Sequence, residues 1–137
     1  MSDVPPGFVA LEKTGPFIGL IGPLYLPADR SVKNLVAMRA EEKHLNMRGA
    51  LHGGALAALV DTAFGIVLRH ACDVRTITVS LTTDFLEPVK AGDWIEAHIE
   101  ATRVGKRLVF AQGMLKVGAR NVLRASGVFA IVPPAAK

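Results

Sequence analysis

One stretch dictates what this chain can become: NMRGALHGGALAALVDTAFGIVLR, from Asn46 to Arg69. Leu56, Leu59, Val60, Ala63, Phe64 and Val67 recur at helical spacing and make one apolar face. Ala57, Ala58 and Gly65 are small enough on the other side to let a second backbone come close. A helix this apolar all round is expected to be buried. Asp61 and Thr62 are its only polar side chains between Gly53 and Leu68. An unpaired carboxylate in such surroundings costs on the order of several kcal/mol. Asp61 therefore either faces a solvent-filled cleft with a job to do or forms the helix's wet edge. Just upstream, His52-Gly53-Gly54 opens the helix. Two glycines let a ligand approach the backbone, and the first N–H groups of a helix have no internal partner and attract negative charge.

The rest of the chain reads as strands. Met1 to Gly15 is punctuated by Pro and Gly and is expected to be loose. Phe17 to Leu26 suits a short helix or turn followed by an edge strand at Leu24 to Leu26. Lys33 to Glu41 alternates as a strand, and His44 to Leu51 is a loop carrying Asn46 and Gly49. The helix runs to about His70. Four strand-like runs follow: Arg75 to Leu86, Asp93 to Val104, Arg107 to Val117 and Asn121 to Val132. Gly105-Lys106 suits a tight hairpin turn between two of them. One long apolar helix followed by antiparallel hairpins is an α+β chain. At 137 residues, with no linker and no repeat, it is expected to be one domain.

Several classes of function lose ground on composition. No apolar run reaches the ~18 residues that span a bilayer, and Asp61 interrupts the longest, so no membrane is expected. The start, MSDVPPGF, lacks a signal pattern, and the one cysteine, Cys72, cannot form an internal disulfide. Both fit a reducing cytoplasm. The net charge is +4, and no Asp or Glu follows Glu100. That bias suggests an anionic partner. Nucleic acid fits poorly, because aromatic residues are too sparse for a stacking platform. A phosphorylated small molecule fits as well as any, and each single cation also reads as ordinary solvated surface.

Asn46, then His52-Gly53-Gly54, then Asp61 within an alanine-rich helix resembles the acyl-CoA thioesterases of the hotdog fold, in particular the phenylacetate-pathway (PaaI-like) branch of the 4-hydroxybenzoyl-CoA thioesterase superfamily. Thr82-Thr83-Asp84-Phe85-Leu86-Glu87-Pro88, Gly92-Asp93 and Val104-Gly105-Lys106-Arg107 extend the likeness, which covers roughly Val32 to Val132. The resemblance implies a long helix wrapped by a curved antiparallel sheet. It implies hydrolysis of an acyl- or aryl-acyl-CoA to free acid and CoA. The Gly54 amide would polarise the carbonyl, with Gly53 giving clearance, and Asp61 would be nucleophile or general base. His52 would place the glycine loop or touch the thioester, and Asn46 would hold water or orient the loop. Thr78 or Ser80 would steady the carboxylate; a register slip of one residue exchanges their faces, and Thr78 is preferred.

Arg103, Gly105, Lys106 and Arg107 are candidates for the CoA phosphates, which basic side chains hold well. Phe64 and Phe85, with Leu86, are candidates for the acyl pocket, although core packing explains them too. No metal and no cofactor beyond the substrate's own CoA is expected. Gly54 and Asp61 stand about two turns apart, roughly 10 Å at 1.5 Å per residue. One helix can hardly aim both at one carbon, so a homodimer is the expected minimal active unit, within a tetramer. Two other readings stay open: a hotdog hydratase or dehydratase, and a non-catalytic acyl-CoA-binding module.

Overall fold

The computed structural model describes residues 4–133. Its elements run β1 (Phe8–Ala10), α1 (Gly15–Ile21), β2 (Leu24–Pro27), β3 (Leu35–Arg39), a single 3-10 turn (Glu42–His44), α2 (Gly53–Cys72), β4 (Arg75–Phe85), β5 (Trp94–Val104), β6 (Leu108–Val117) and β7 (Arg120–Val132). The strands form one seven-stranded antiparallel sheet in the order β1-β2-β3-β5-β6-β7-β4. The strand following the helix thus travels to the far edge of the sheet, while β5, β6 and β7 fill the middle by successive hairpins.

Alternation explains which residues meet α2. Ile95, Ala97 and Ile99 of β5, Val109, Ala111 and Leu115 of β6, and Leu123, Ala125 and Phe129 of β7 are all buried on one face. Against them lie Leu56, Leu59, Val60, Ala63, Phe64, Val67 and Leu68. Two inward glycines shape the hollow. A Cβ on Gly113 would stand 2.8 Å from the Ile99 Cδ1 and 3.3 Å from the Phe64 ring, and one on Gly127 would strike Phe129 at 2.5 Å. These missing side chains make room for the Phe64–Phe129 pair, whose centroids are 4.9 Å apart.

Several expectations need correction. Helix α2 is buried along one face only; Ala57, Ala58, Asp61, Thr62, Gly65 and Ile66 stay half-buried, because the sheet covers one side of the rod. By length and composition α2 could cross a membrane, yet seven of its side chains are buried in this core. The segment expected to be loose contains β1, which adds outside β2, so β2 is not an edge strand. Phe8 of β1 packs edge-on to Trp94 at 5.1 Å, which anchors the addition. The helix also runs two residues past His70, to Cys72, where Asp73 ends it in the left-handed conformation at φ 55°.

Candidate active site

Asp61 sits at the lip between the packed and open faces of α2, half-buried. The Thr78 hydroxyl donates to its Oδ1 at 2.6 Å. A bulge between Thr78 and Ser80 shifts the register of β4 against β7, and of the two hydroxyls Thr78 is the one that reaches the carboxylate. One carboxylate oxygen is thus tied to the sheet, and the other has no partner among the described residues.

Eight residues toward the N-terminus, the helix begins at Gly53 with an unusual cap. His52 has extended backbone geometry, and its ring Nδ1 accepts the Gly54 N–H at 2.7 Å. N-cap side chains take the amide of the second or third helical residue, and His52 obeys that rule. The consequence corrects the expectation for Gly54: its amide is spent inside the chain. The Gly53 N–H has no acceptor among the described residues and is the free donor of the helix start. The signal was present in the sequence, since naming His52 as the cap leaves the first helical amide unclaimed. A Cβ on Gly53 would stand 3.2 Å from the Phe85 ring. Phe85 itself is 55% exposed, so it stands beside Gly53 as a surface wall rather than as core.

Asn46 shapes the loop leading to this cap. Its Oδ1 accepts the amides of Arg48 (2.9 Å) and Ala50 (3.2 Å), closing the turn in which Gly49 adopts φ 83°. His52 N–H then donates to the carbonyl of buried His44, and Leu51 N–H to that of Val89, which fixes the approach to the helix. Phe64 is fully buried against Phe129 within the chain, so it is core and does not line an open pocket. Leu86 is 45% exposed beside Phe85.

The basic hairpin lies at the other level. Gly105 N–H donates to Leu108 O at 2.8 Å to close it. Leu108 pairs with Ala130, which pairs with Ile77, so the base of the hairpin is level with Ile77, one residue from Thr78, and its tip projects beyond. Arg103, Lys106 and Arg107 are exposed, and their side chains have no ionic or hydrogen-bond partner among the described residues. A single chain therefore gathers Asp61, Thr78 and the free cations at one height, and His52, Gly53, Asn46 and Phe85 at another.

A long helix cradled in a seven-stranded antiparallel sheet is the hotdog fold; the solved structure of Escherichia coli PaaI superposes with a TM-score of 0.67 at 22% identity, covering 90% of this chain and 82% of that one. The chain belongs to the thioesterase superfamily, whose sequence model matches residues 48–122, and its activity class is thioester hydrolysis. A Pseudomonas aeruginosa protein that carries an esterase name is 37% identical over 131 residues, 94% of this chain and 98% of that one. Human acyl-coenzyme A thioesterase 13 is 31% identical over 121 residues, 86% and 85% of the two chains.

Proposed function

We propose that this protein hydrolyses acyl-CoA thioesters at a site shared between two copies of the chain. Asp61 is the base, and the Gly53 amide polarises the carbonyl. The observation that carries this reading is the Thr78–Asp61 hydrogen bond: it fixes a half-buried carboxylate with one oxygen free to take a proton from water. The hydroxide adds to the thioester carbon, the Gly53 N–H holds the resulting oxyanion, and collapse of the adduct expels the CoA thiolate. His52 contributes by capping Gly54, which keeps the first turn rigid and the Gly53 N–H pointed outward.

Two features support the shared site. The first is the separation of Gly53 from Asp61 along one helix, about eight residues at 1.5 Å each. The second is β4 itself, an eleven-residue edge strand with Ile77 63% and Val79 61% exposed. Long apolar edges of this kind are normally covered. Antiparallel pairing of β4 with its copy, centred near Leu81 and Thr82, sets Thr78 of each chain opposite Phe85 of the other. Asp61 of one chain then faces Gly53 of its twin, across helix faces kept narrow by Ala58 and Gly65. Leu108 and Phe110, about two-fifths exposed, offer a second apolar surface for a tetramer.

Arg103, Lys106 and Arg107 supply the positive field for the CoA phosphates. The test is a panel of acyl-, aryl-acyl- and enoyl-CoA esters assayed for free thiol. Thiol release from a saturated acyl-CoA, lost in Asp61→Asn, is the expected result. Hydration of the enoyl ester without thiol release would contradict it.

A further inference from the structure

A cleft of about 980 Å³ opens against the β1–β3 edge of the sheet, the edge opposite to the β4 strand that holds Asp61. Its floor is apolar: Leu11, Leu26, Leu35 and Ile66 line it, all half-buried. Its rim is basic: Lys13, Arg30 and Lys33 are exposed, and none has an ionic or hydrogen-bond partner among the described residues. Glu12 is the only acid in the lining.

We infer that this cleft binds an amphipathic monoanion, a medium- or long-chain carboxylate, with its chain on the leucine floor and its head among the three cations. Each half of that ligand answers one observation. Apolar side chains left half-covered in a concave site gain by covering with hydrocarbon. Unpartnered cations at its mouth favour a negative head and no other charge. A nucleotide fits less well, because no Phe, Tyr or Trp lines the cleft and an adenine ring would have nothing to stack on. A flat membrane surface fits less well than a single chain, because the floor is recessed. The inference does not depend on the thioesterase reading, since none of these residues belongs to that site.

The experiment is a calorimetric titration of the full chain, free of CoA esters, with octanoate, decanoate and dodecanoate below their micelle concentrations, with decanol, and with vesicles of phosphatidylglycerol and phosphatidylcholine. Affinity is expected to rise about fourfold for each added methylene. The methyl resonances of Ile66 and Leu35 are expected to shift on binding. The pair Arg30→Gln and Lys33→Gln, both in an exposed loop, is expected to weaken decanoate about tenfold while leaving decanol within about twofold. The Asp61→Asn variant is expected to bind decanoate as the unaltered chain does, which separates this inference from the catalytic one. Affinity independent of chain length, a decanoate affinity untouched by the paired substitution, shifts confined to Phe85 and its surroundings, or binding to anionic vesicles alone would overturn it.

Discussion

The two faces of α2 have opposite designs. On the packed face, Leu56, Val60, Phe64, Val67 and their neighbours fill a hollow left by Gly113 and Gly127, with nothing exposed and nothing polar. On the open face, Gly54, Ala58 and Gly65 are small and half-buried or exposed, with the one carboxylate, Asp61, among them. The first face fixes where the helix lies; the second is the one on which the proposed chemistry and the proposed partner contact fall. A single helix can do both because the apolar stripe is wide enough to anchor it and the residues opposite are small.

The contrast can be broken at named residues. Asp61→Asn on the open face is expected to lower kcat by about 10³-fold or more while leaving the melting temperature near that of the unaltered protein. Retained thiol release would remove Asp61 from the mechanism. Phe64→Ala on the packed face should do the reverse, costing about 3–5 kcal/mol in denaturant unfolding with kcat per folded molecule nearly unchanged. A Phe64 that altered acyl preference instead would return it to the substrate pocket. Gly53→Pro removes the free amide at the one helical position where proline is well tolerated, after an extended His52. It should lower kcat by about 10²–10³-fold, whereas His52→Ala should cost about 1 kcal/mol of stability through the lost cap and less rate than that. Smallest is the hairpin: Lys106→Gln with Arg107→Gln should raise KM for acyl-CoA several-fold, roughly what two exposed charges are worth, and flatten its dependence on ionic strength.

Much of this was legible in the residues. The helical spacing of Leu56 to Val67 and the alternation after Arg75 placed α2 and four strands, because long periodic segments follow from burial alone. The resemblance implies a strand hydroxyl at Thr78 or Ser80 without fixing the register, and the contact of Thr78 with Asp61 depends on a bulge that no local pattern announces. β1 was missed because three residues near a Pro- and Gly-rich start carry little periodicity; it exists through pairing with β2 and the Phe8–Trp94 contact, both distant in sequence. The resemblance implies Gly54 as the donor, and as letters the two glycines are equivalent. A capping His52 is the sequence signal that separates them, and the direction of its ring bears that out, with Gly54 the spent amide.

In the proposed mechanism Asp61 of one chain works with Gly53 of another. The direct test is subunit complementation: Asp61→Asn and Gly53→Pro chains, each inactive alone, are co-refolded and assayed for thiol release. Hybrid dimers would contain one intact site and one doubly damaged one, so random mixing predicts recovery of about a quarter of the unaltered activity. Recovery of none, with hybrids shown to have formed, would place both groups within one chain and contradict the shared site.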